Sequence, residues 1–317
     1  MSRSRPGPLR RAARELRAGW WAVTGQGIDF TPQPLGRNVD PNGLAGYYSE
    51  LRHKTVGTVG GLPVDSFGEL NDWVIEVAQA ALGFWERRLE GEEVDAEFLF
   101  LADWLLEHST REPDGVVWRI DVPVPKYGKQ PGWISAMGQG QAISVLLRAH
   151  ALTGKQRYLE AARGAFPVLC RPVAAGGTQS EIDGRPVLEE YPVEGRSCAV
   201  LNGWIFALFG VHELAASTGD PQARDLFERS AAGLVELLPR YDAGWWSLYS
   251  LYDHGRPDLA KPFYQRLHPE LLEGLDLIHP DPRLGVYARR WRSQYTRRNA
   301  ARASLDKLLF RAYRAFR

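Results

Sequence analysis

Acid–base chemistry needs carboxylates and phenols close together, and residues 183–194 concentrate them: Asp183, Glu189, Glu190, Tyr191 and Glu194. Neighbours on an extended strand point to opposite faces, so Glu189 and Glu190 cannot both face one site. A carboxylate pair for glycoside hydrolysis can be drawn from Asp183, Glu189, Glu190 and Asp253, with surface solvation as the plainer role for most of these acids. Spacing argues against several other chemistries. The seven histidines show no His-Glu-x-x-His arrangement, so a catalytic zinc is not expected. Cys170 and Cys198 are too few for a disulfide framework or a Cys-based zinc site. There is no Gly-x-Ser-x-Gly elbow. Gly138-Gln139-Gly140 lacks the rest of a Gly-x-Gly-x-x-Gly fingerprint and a strand before it, so no dinucleotide fold is implied. Neither metal nor cofactor is expected.

Aromatic residues are the second chemical signal. The chain holds 11 Trp and 12 Tyr, and Trp118, Tyr127, Trp133, Tyr191, Tyr241, Trp245, Trp246, Tyr249, Tyr252 and Tyr264 fall between helical segments. Flat apolar rings with polar tips suit the faces and hydroxyls of sugars. Taken singly each ring is better read as core packing, but the cluster points to a glycan groove, with Trp133 and Tyr252 among its contacts.

These groups must be positioned by helices. Apolar periodicity marks helices over 72–90 and 95–108, 139–153 and 155–169, 200–217 and 221–238, and more loosely 264–279 and 283–298. Turns at Gly91, Gly154, Gly219 and His279-Pro280 recur at nearly even steps, so four helical hairpins are expected. One pair cannot bury its apolar stripe alone, so the pairs must stack. The expected fold is mainly α, an incomplete (α/α) toroid or barrel of about four helix pairs with short β-hairpins on one rim. Binding residues then belong on that rim. The parts are a basic amphipathic helix over 1–26, a Gly/Pro-rich arm over 27–71 that wraps the toroid or closes its mouth, the catalytic domain over 72–298, and a second basic amphipathic helix over 299–317.

Charge is unevenly spread. Residues 1–20 carry six arginines against Glu15, and residues 283–317 carry eleven Lys and Arg against Asp306. That leaves 22 basic and 36 acidic residues between them. An acidic body with no recognition motif argues against nucleic acid as a partner. Leu9, Ala12, Ala13, Leu16, Trp20 and Val23 form one apolar stripe, and Leu305, Leu308, Leu309, Ala312 and Phe316 another, each opposed by arginines. Such ends either cap the body or lie on an anionic membrane surface. No window is long and apolar enough to span a bilayer, and residues 1–26 do not read as a secretory signal. A cytoplasmic protein is expected, peripheral at the inner membrane face if its ends dock there.

The run Pro131-Gly132-Trp133-Ile134-Ser135-Ala136-Met137-Gly138-Gln139-Gly140-Gln141-Ala142-Ile143-Ser144 resembles a segment of the D-glucuronyl C5-epimerases. So do Glu189-Glu190-Tyr191-Pro192, Val200-Leu201-Asn202-Gly203-Trp204, Leu238-Pro239-Arg240-Tyr241-Asp242-Ala243-Gly244 and Arg290-Trp291, in matching order across residues 60–298. No counterpart of the β-rich N-terminal part of the animal enzymes is read in this sequence, so their bound calcium is not expected. The resemblance implies an (α/α) domain and epimerisation at C5 of a hexuronic acid, D-glucuronate to L-iduronate, in a poly- or oligosaccharide. It implies Glu190, Tyr191, Tyr249 and Tyr264 as catalytic residues, and adds Gln139, Gln141, Asn202 and His268 as substrate contacts. A phenol is a poor base unless cations lower its pKa, and Arg196, Arg256, Lys261 and Arg266 are the candidate cations, with Arg196 and Arg266 also taken as substrate contacts.

One departure stands out. Where the family follows the tyrosine at position 249 with Asp-Leu-Arg-His, this chain reads Ser250-Leu251-Tyr252-Asp253; if that arginine grips the uronate carboxylate, this chain must use another cation or bind a different sugar. A lipid-linked glycan would reconcile a polysaccharide substrate with a cytoplasmic address, and a homodimer is an open assembly. Competing functions are a polysaccharide lyase, a glycoside hydrolase on a uronate-containing glycan, and a non-catalytic glycan-binding protein.

Overall fold

Two glycine turns show how the chain reverses. Gly154 and Gly219 adopt φ of 68° and 70°, and their backbone N–H groups donate to the carbonyls of His150 and Ala215, closing the helices before them. A left-handed residue at this point suits glycine because it has no Cβ to clash. The next helix then starts at once, and Asp220 caps it by accepting from the N–H groups of Gln222 and Ala223 at 2.8 and 3.2 Å.

The protein is described from a computed structural model covering residues 27–315 together with Leu16, Arg17, Trp20 and Trp21. The helix expected over 1–26 therefore lies almost wholly outside the described residues. Four helical hairpins follow one another: α1 (Val74–Leu89) with α2 (Asp95–Glu107), α3 (Ala136–Thr153) with α4 (Gln156–Ala165), α5 (Leu201–Thr218) with α6 (Pro221–Leu237), and α7 (Pro262–Ile278) with α8 (Pro282–Gln294). A last helix, α9, spans Arg297–Ala315, so the helix expected over 283–298 is divided at Tyr295 and Thr296.

The first helices of the pairs pack in the order α1, α3, α5, α7, each beside the next, and their partners lie outside them. The closest approach is between α3 and α5. A Cβ on Gly210 would fall 2.1 Å from the Gly140 carbonyl oxygen, and one on Gly140 would fall 2.7 Å from the Ala207 Cα. Gly140 thus serves backbone contact, while Gly138 makes room for the Val74 side chain.

Short antiparallel hairpins join the elements. Before α1 lie β1 (Thr58–Val59) and β2 (Leu62–Pro63). Between α2 and α3 are β3 (Thr110–Glu112) with β4 (Gly115–Val117), then β5 (Arg119–Ile120) with β6 (Trp133–Ile134). Between α4 and α5 are β7 (Gln179–Ile182) and β8 (Arg185–Leu188), and before α7 are β9 (Leu248–Ser250) and β10 (Asp258–Leu259). Apart from β1 and β2, which precede the first helix pair, these short hairpins lie between successive pairs.

The arm over 27–71 is built into the core. Tyr47, Tyr48 and Leu51 are fully buried, and Tyr48 stacks on Phe209 of α5 at 4.2 Å between ring centroids. Trp85 donates to the Ala45 carbonyl at 2.7 Å, and Arg148 to that of Gly46 at 3.2 Å. Arg148 also makes a buried two-point pair with Glu213, both contacts at 2.8 Å, tying α3 to α5.

On α9 the expected packing face is reversed. Leu305, Leu308 and Leu309 are 59%, 57% and 51% exposed, while Ala300, Ala303 and Phe310 are buried. Small residues let the helix approach the body closely, and the leucine stripe faces away from it. It does not cap the body.

Candidate active site

The chemistry of the site starts where β8 ends. Glu189 and Glu190 point apart, as extended backbone requires. Glu189 turns into the fold, where Oε1 accepts from the hydroxyls of Ser180 and Ser197 and, at 3.0 Å, from the Cys198 N–H, and Oε2 accepts from the Ala199 N–H at 3.0 Å. This carboxylate holds the turn at Ala199, whose φ is +44°. Glu190 goes the other way, into a cavity. Gly203 lies directly against it: a Cβ there would meet Oε2 at 2.3 Å, so only glycine lets α5 begin beside the carboxylate.

Two adjoining cavities form the cleft. The larger, about 340 Å³, takes residues from the first turns of all four inner helices: Glu76 of α1, Met137 of α3, Asn202 of α5 and Tyr264 of α7. The arm adds Asp29, Lys54 and Asn71. Four helix N-termini therefore converge on one space, and the positive ends of their dipoles favour a bound anion. The smaller, about 190 Å³, is lined by Lys126, Tyr127, Tyr249 and Lys307 among others. Tyr191, Lys261 and Tyr264 border both cavities. Glu190 borders only the larger and Tyr249 only the smaller.

The rings between them form a packed set. Tyr249 and Tyr264 lie 4.7 Å apart, Tyr127 stacks on Tyr191 at 4.6 Å, and Trp133 tilts against Tyr191 at 5.2 Å. Lys126 Nζ sits 4.4 Å from the Tyr249 ring centre and ion-pairs with Asp258, whose other oxygen pairs with Lys307. Tyr127 donates to Ser250 at 3.1 Å, and Ser250 to Asp258 at 2.9 Å.

Burial sets the protonation states. It raises Glu190 from 4.5 to about 7, against the Tyr191 hydroxyl and Lys126, and Glu190 Oε2 has no hydrogen-bond partner. Burial, reinforced by the Glu190 charge, also drives Tyr191, Tyr249 and Tyr264 well above 10, although Tyr249 interacts with both other phenols. No neighbouring cation lowers these tyrosines, and burial keeps the phenols protonated. Burial would likewise raise Asp258, but Lys126 and Lys307 outweigh it and leave it at about 2. Lys126 falls to about 8, chiefly through burial.

Of the residues expected at the site, Glu190, Tyr191, Tyr249, Tyr264 and Asn202 border the cleft. Trp133 supports Tyr191 from behind while donating to the Val122 carbonyl at 2.8 Å, and Tyr252 packs edge-on against Tyr127 at 5.5 Å. The others lie elsewhere. Gln139 is fully buried, accepting from the Trp118 N–H and donating to the carbonyls of Val116 and Ala165, so its amide holds the β4 segment to α3. Gln141 is fully buried near Tyr47. His268 is buried behind Tyr264 with Nδ1 2.9 Å from the Ser247 hydroxyl, and burial lowers it to about 3. Arg196 borders a separate cavity beside β7, and Arg266 another beside Tyr295. The carboxylates considered for a hydrolase pair disperse too: Glu189 is enclosed, and Asp183 pairs with Arg240 on the surface.

Residues not singled out from sequence complete the cleft. Lys54 is buried, with Nζ 2.8 Å from Glu76 and 3.7 Å from Asp29. Lys126 and Lys307 flank Asp258. The only sequence signal near them is the proline-framed loop Pro123-Val124-Pro125-Lys126-Tyr127, which hinted at a fixed loop rather than at a ligand.

Residues 111–293 match the family model described as D-glucuronyl C5-epimerase C-terminus. A D-glucuronyl C5-epimerase of Caenorhabditis elegans is 32% identical over 213 residues, 61% of this chain and 34% of its own length. An uncharacterized protein of Methanocaldococcus jannaschii is 30% identical over 182 residues, 54% of this chain and 58% of its own. The chain thus spans about a third of one relative and somewhat over half of the other.

Proposed function

The chain belongs to the D-glucuronyl C5-epimerase C-terminus family, and from that premise we propose that it epimerises C5 of a hexuronic acid in a poly- or oligosaccharide, D-glucuronate to L-iduronate in type. The row of inner helices, open on the cleft side, is taken as an incomplete (α/α) toroid. The observation that carries the reading is Glu190 on one side of the cleft junction and Tyr249 on the other, with Tyr191 and Tyr264 between them. Epimerisation needs a base on one face of the sugar and an acid on the opposite face.

In this reading the Glu190 carboxylate takes the C5 proton, and the electron pair moves into the C6 carboxylate. The Tyr249 hydroxyl, supported by Tyr264, returns a proton to the opposite face. Glu190 is then protonated and Tyr249 a phenolate. A proton passed from Glu190 through Tyr191 to Tyr249 restores both, along the contacts these groups already make. With its resting value near 7, Glu190 can gain and lose a proton near neutrality, whereas tyrosines held neutral serve better as acids than as bases. The four helix N-termini favour the anionic substrate.

Deuterated water tests the proposal. Incubation with glucuronate-containing polymers should place deuterium at C5, with iduronate appearing alongside it. An unsaturated product absorbing in the ultraviolet would instead identify a lyase, and new reducing ends a hydrolase. Intact substrate without deuterium would sink the reading.

We further propose peripheral contact of α9 with an anionic membrane surface. The exposed leucines, flanked by exposed Arg298, Arg302 and Arg311, support this. Among the described residues no helix is long and apolar enough to cross a membrane.

A further inference from the structure

The missing family arginine leaves a chemical demand unmet. An anionic C6 carboxylate resists carbanion formation at C5 unless cations or hydrogen-bond donors neutralise it. The positions after Tyr249 hold Ser250, Leu251, Tyr252 and Asp253, and none of these is a cation.

We propose that the smaller cavity is an anion subsite in which Lys126 and Lys307, held in place by Asp258, bind the C6 carboxylate of the uronate. The proposal rests on the epimerase reading above and adds residues to it.

Four observations support it. First, the two ammonium groups share one carboxylate: Lys126 pairs with one oxygen of Asp258 and Lys307 with the other. Each ammonium has three N–H donors, so each keeps donors for a further oxygen atom. Second, Asp258 is fully buried and both lysine side chains are largely so, so two ammonium groups share a single buried carboxylate. A bound carboxylate would restore the balance that burial otherwise penalises. Third, Lys126 lies over Tyr249, which puts the bound carboxylate beside the phenol assigned to C5. Fourth, Tyr127, Ser250 and Asp258 are joined by hydrogen bonds, so the carboxylate that holds the lysines is itself fixed.

Lys307 adds a structural point. It stands on α9, beyond residues 111–293 that match the family. The inward face of that helix, with Ala300, Ala303 and Phe310, brings the lysine to the cavity. A helix outside the matched segment thus completes the site.

The test uses the full chain and two ligands: a glucuronate-containing tetrasaccharide, and the same tetrasaccharide with each carboxylate reduced to a hydroxymethyl group. Titration calorimetry should show wild type preferring the acidic sugar. Lys126→Met and Lys307→Met should each weaken its binding by roughly ten- to hundredfold, the usual loss of a charge-assisted hydrogen bond, and leave the reduced sugar unaffected. Lys307→Arg should retain most of the affinity. If Lys307→Met does not fold, Lys307→Gln, which keeps a donor for Asp258, carries the same comparison. A wild type that does not distinguish the sugars, or a preference that survives loss of Lys307, overturns the proposal; in that case the lysines only brace Asp258. Deuterium exchange at C5 is followed in parallel. Lysine-dependent carboxylate preference without exchange upholds the subsite and removes the epimerase reading. Exchange with KM unmoved by Lys307→Met does the reverse.

Discussion

Replacing Glu190 by Gln should abolish turnover and at the same time stabilise the protein above neutral pH. The side chain is buried at the wall of the larger cavity, and one carboxylate oxygen has no hydrogen-bond partner. The folded protein therefore keeps the Glu190 proton up to about pH 7, whereas the unfolded chain releases it near 4.5. Between those values the folded state binds more protons, so stability falls as pH rises and levels off above about 7. The interval corresponds to about 3 kcal/mol at ~1.4 kcal/mol per pH unit. Nearby amides at the start of α5 favour the charge, so this is an upper bound. Gln keeps the shape without the charge. Thermal melts of both proteins from pH 4 to pH 9 should coincide at the acid end and diverge through pH 5–7. At pH 8 the variant should melt higher, by on the order of 5 °C. Taking the difference between the proteins cancels other titrations. C5 deuterium exchange should fall by at least ~100-fold in the variant, the usual contribution of a general base. In wild type, exchange should rise with pH through about 7, as Glu190 loses its proton. A variant that exchanges at the wild-type rate, or a melting difference that does not change with pH, would refute the reasoning.

Three further outcomes are expected. Tyr249→Phe and Tyr264→Phe should each lower C5 exchange by roughly 100-fold or more, with near-native melting and sugar affinity; full exchange in both would remove the phenols from the mechanism. Glu213→Gln breaks the buried pair with Arg148 and should lose about 3–5 kcal/mol in urea unfolding, while the double change Arg148→Met with Glu213→Leu recovers much of it. Wild type should sediment with anionic vesicles at low salt and be released by salt, and the variant carrying Leu305→Ser and Leu309→Ser should stay in solution; retention of the variant on vesicles would exclude the leucine stripe as the contact.

The helical hairpins were legible because their signals are local. Apolar residues recurring at helical spacing and a glycine at three of the four reversals need no knowledge of the rest of the chain, and the helix boundaries agree to within a few residues. The arm was not legible in the same way. Tyr47 and Tyr48 sit among glycines and prolines that mark a loop, and only the groove beside α5 makes them core residues. Gln139 and Gln141 show a related limit. A glutamine in the first turns of an inner helix reads alike whether its amide meets a ligand or a neighbouring backbone, and here Gln139 meets the backbone.

Glu190 and Tyr191 were named by the family resemblance of Glu189-Glu190-Tyr191-Pro192, and alternation separated Glu190 from Glu189. The lysine pair could not. Lys126 is 132 residues from Asp258 and Lys307 is 49, so each looks like a solvated charge until the fold closes. For α9 the pattern showed two faces without showing which one turns inward. Leucine against arginine suggested leucine, but the inward surface must pass close to β10 and bring a cation to Asp258. Alanine allows that approach and Lys307 supplies the cation, which leaves the leucines outside. One helix thus carries a cleft-lining lysine on one face and an exposed leucine stripe on another. Lys307 and Leu308 are consecutive residues of α9, so a membrane surface at the proposed leucine contact would lie one residue from the cation that pairs with Asp258.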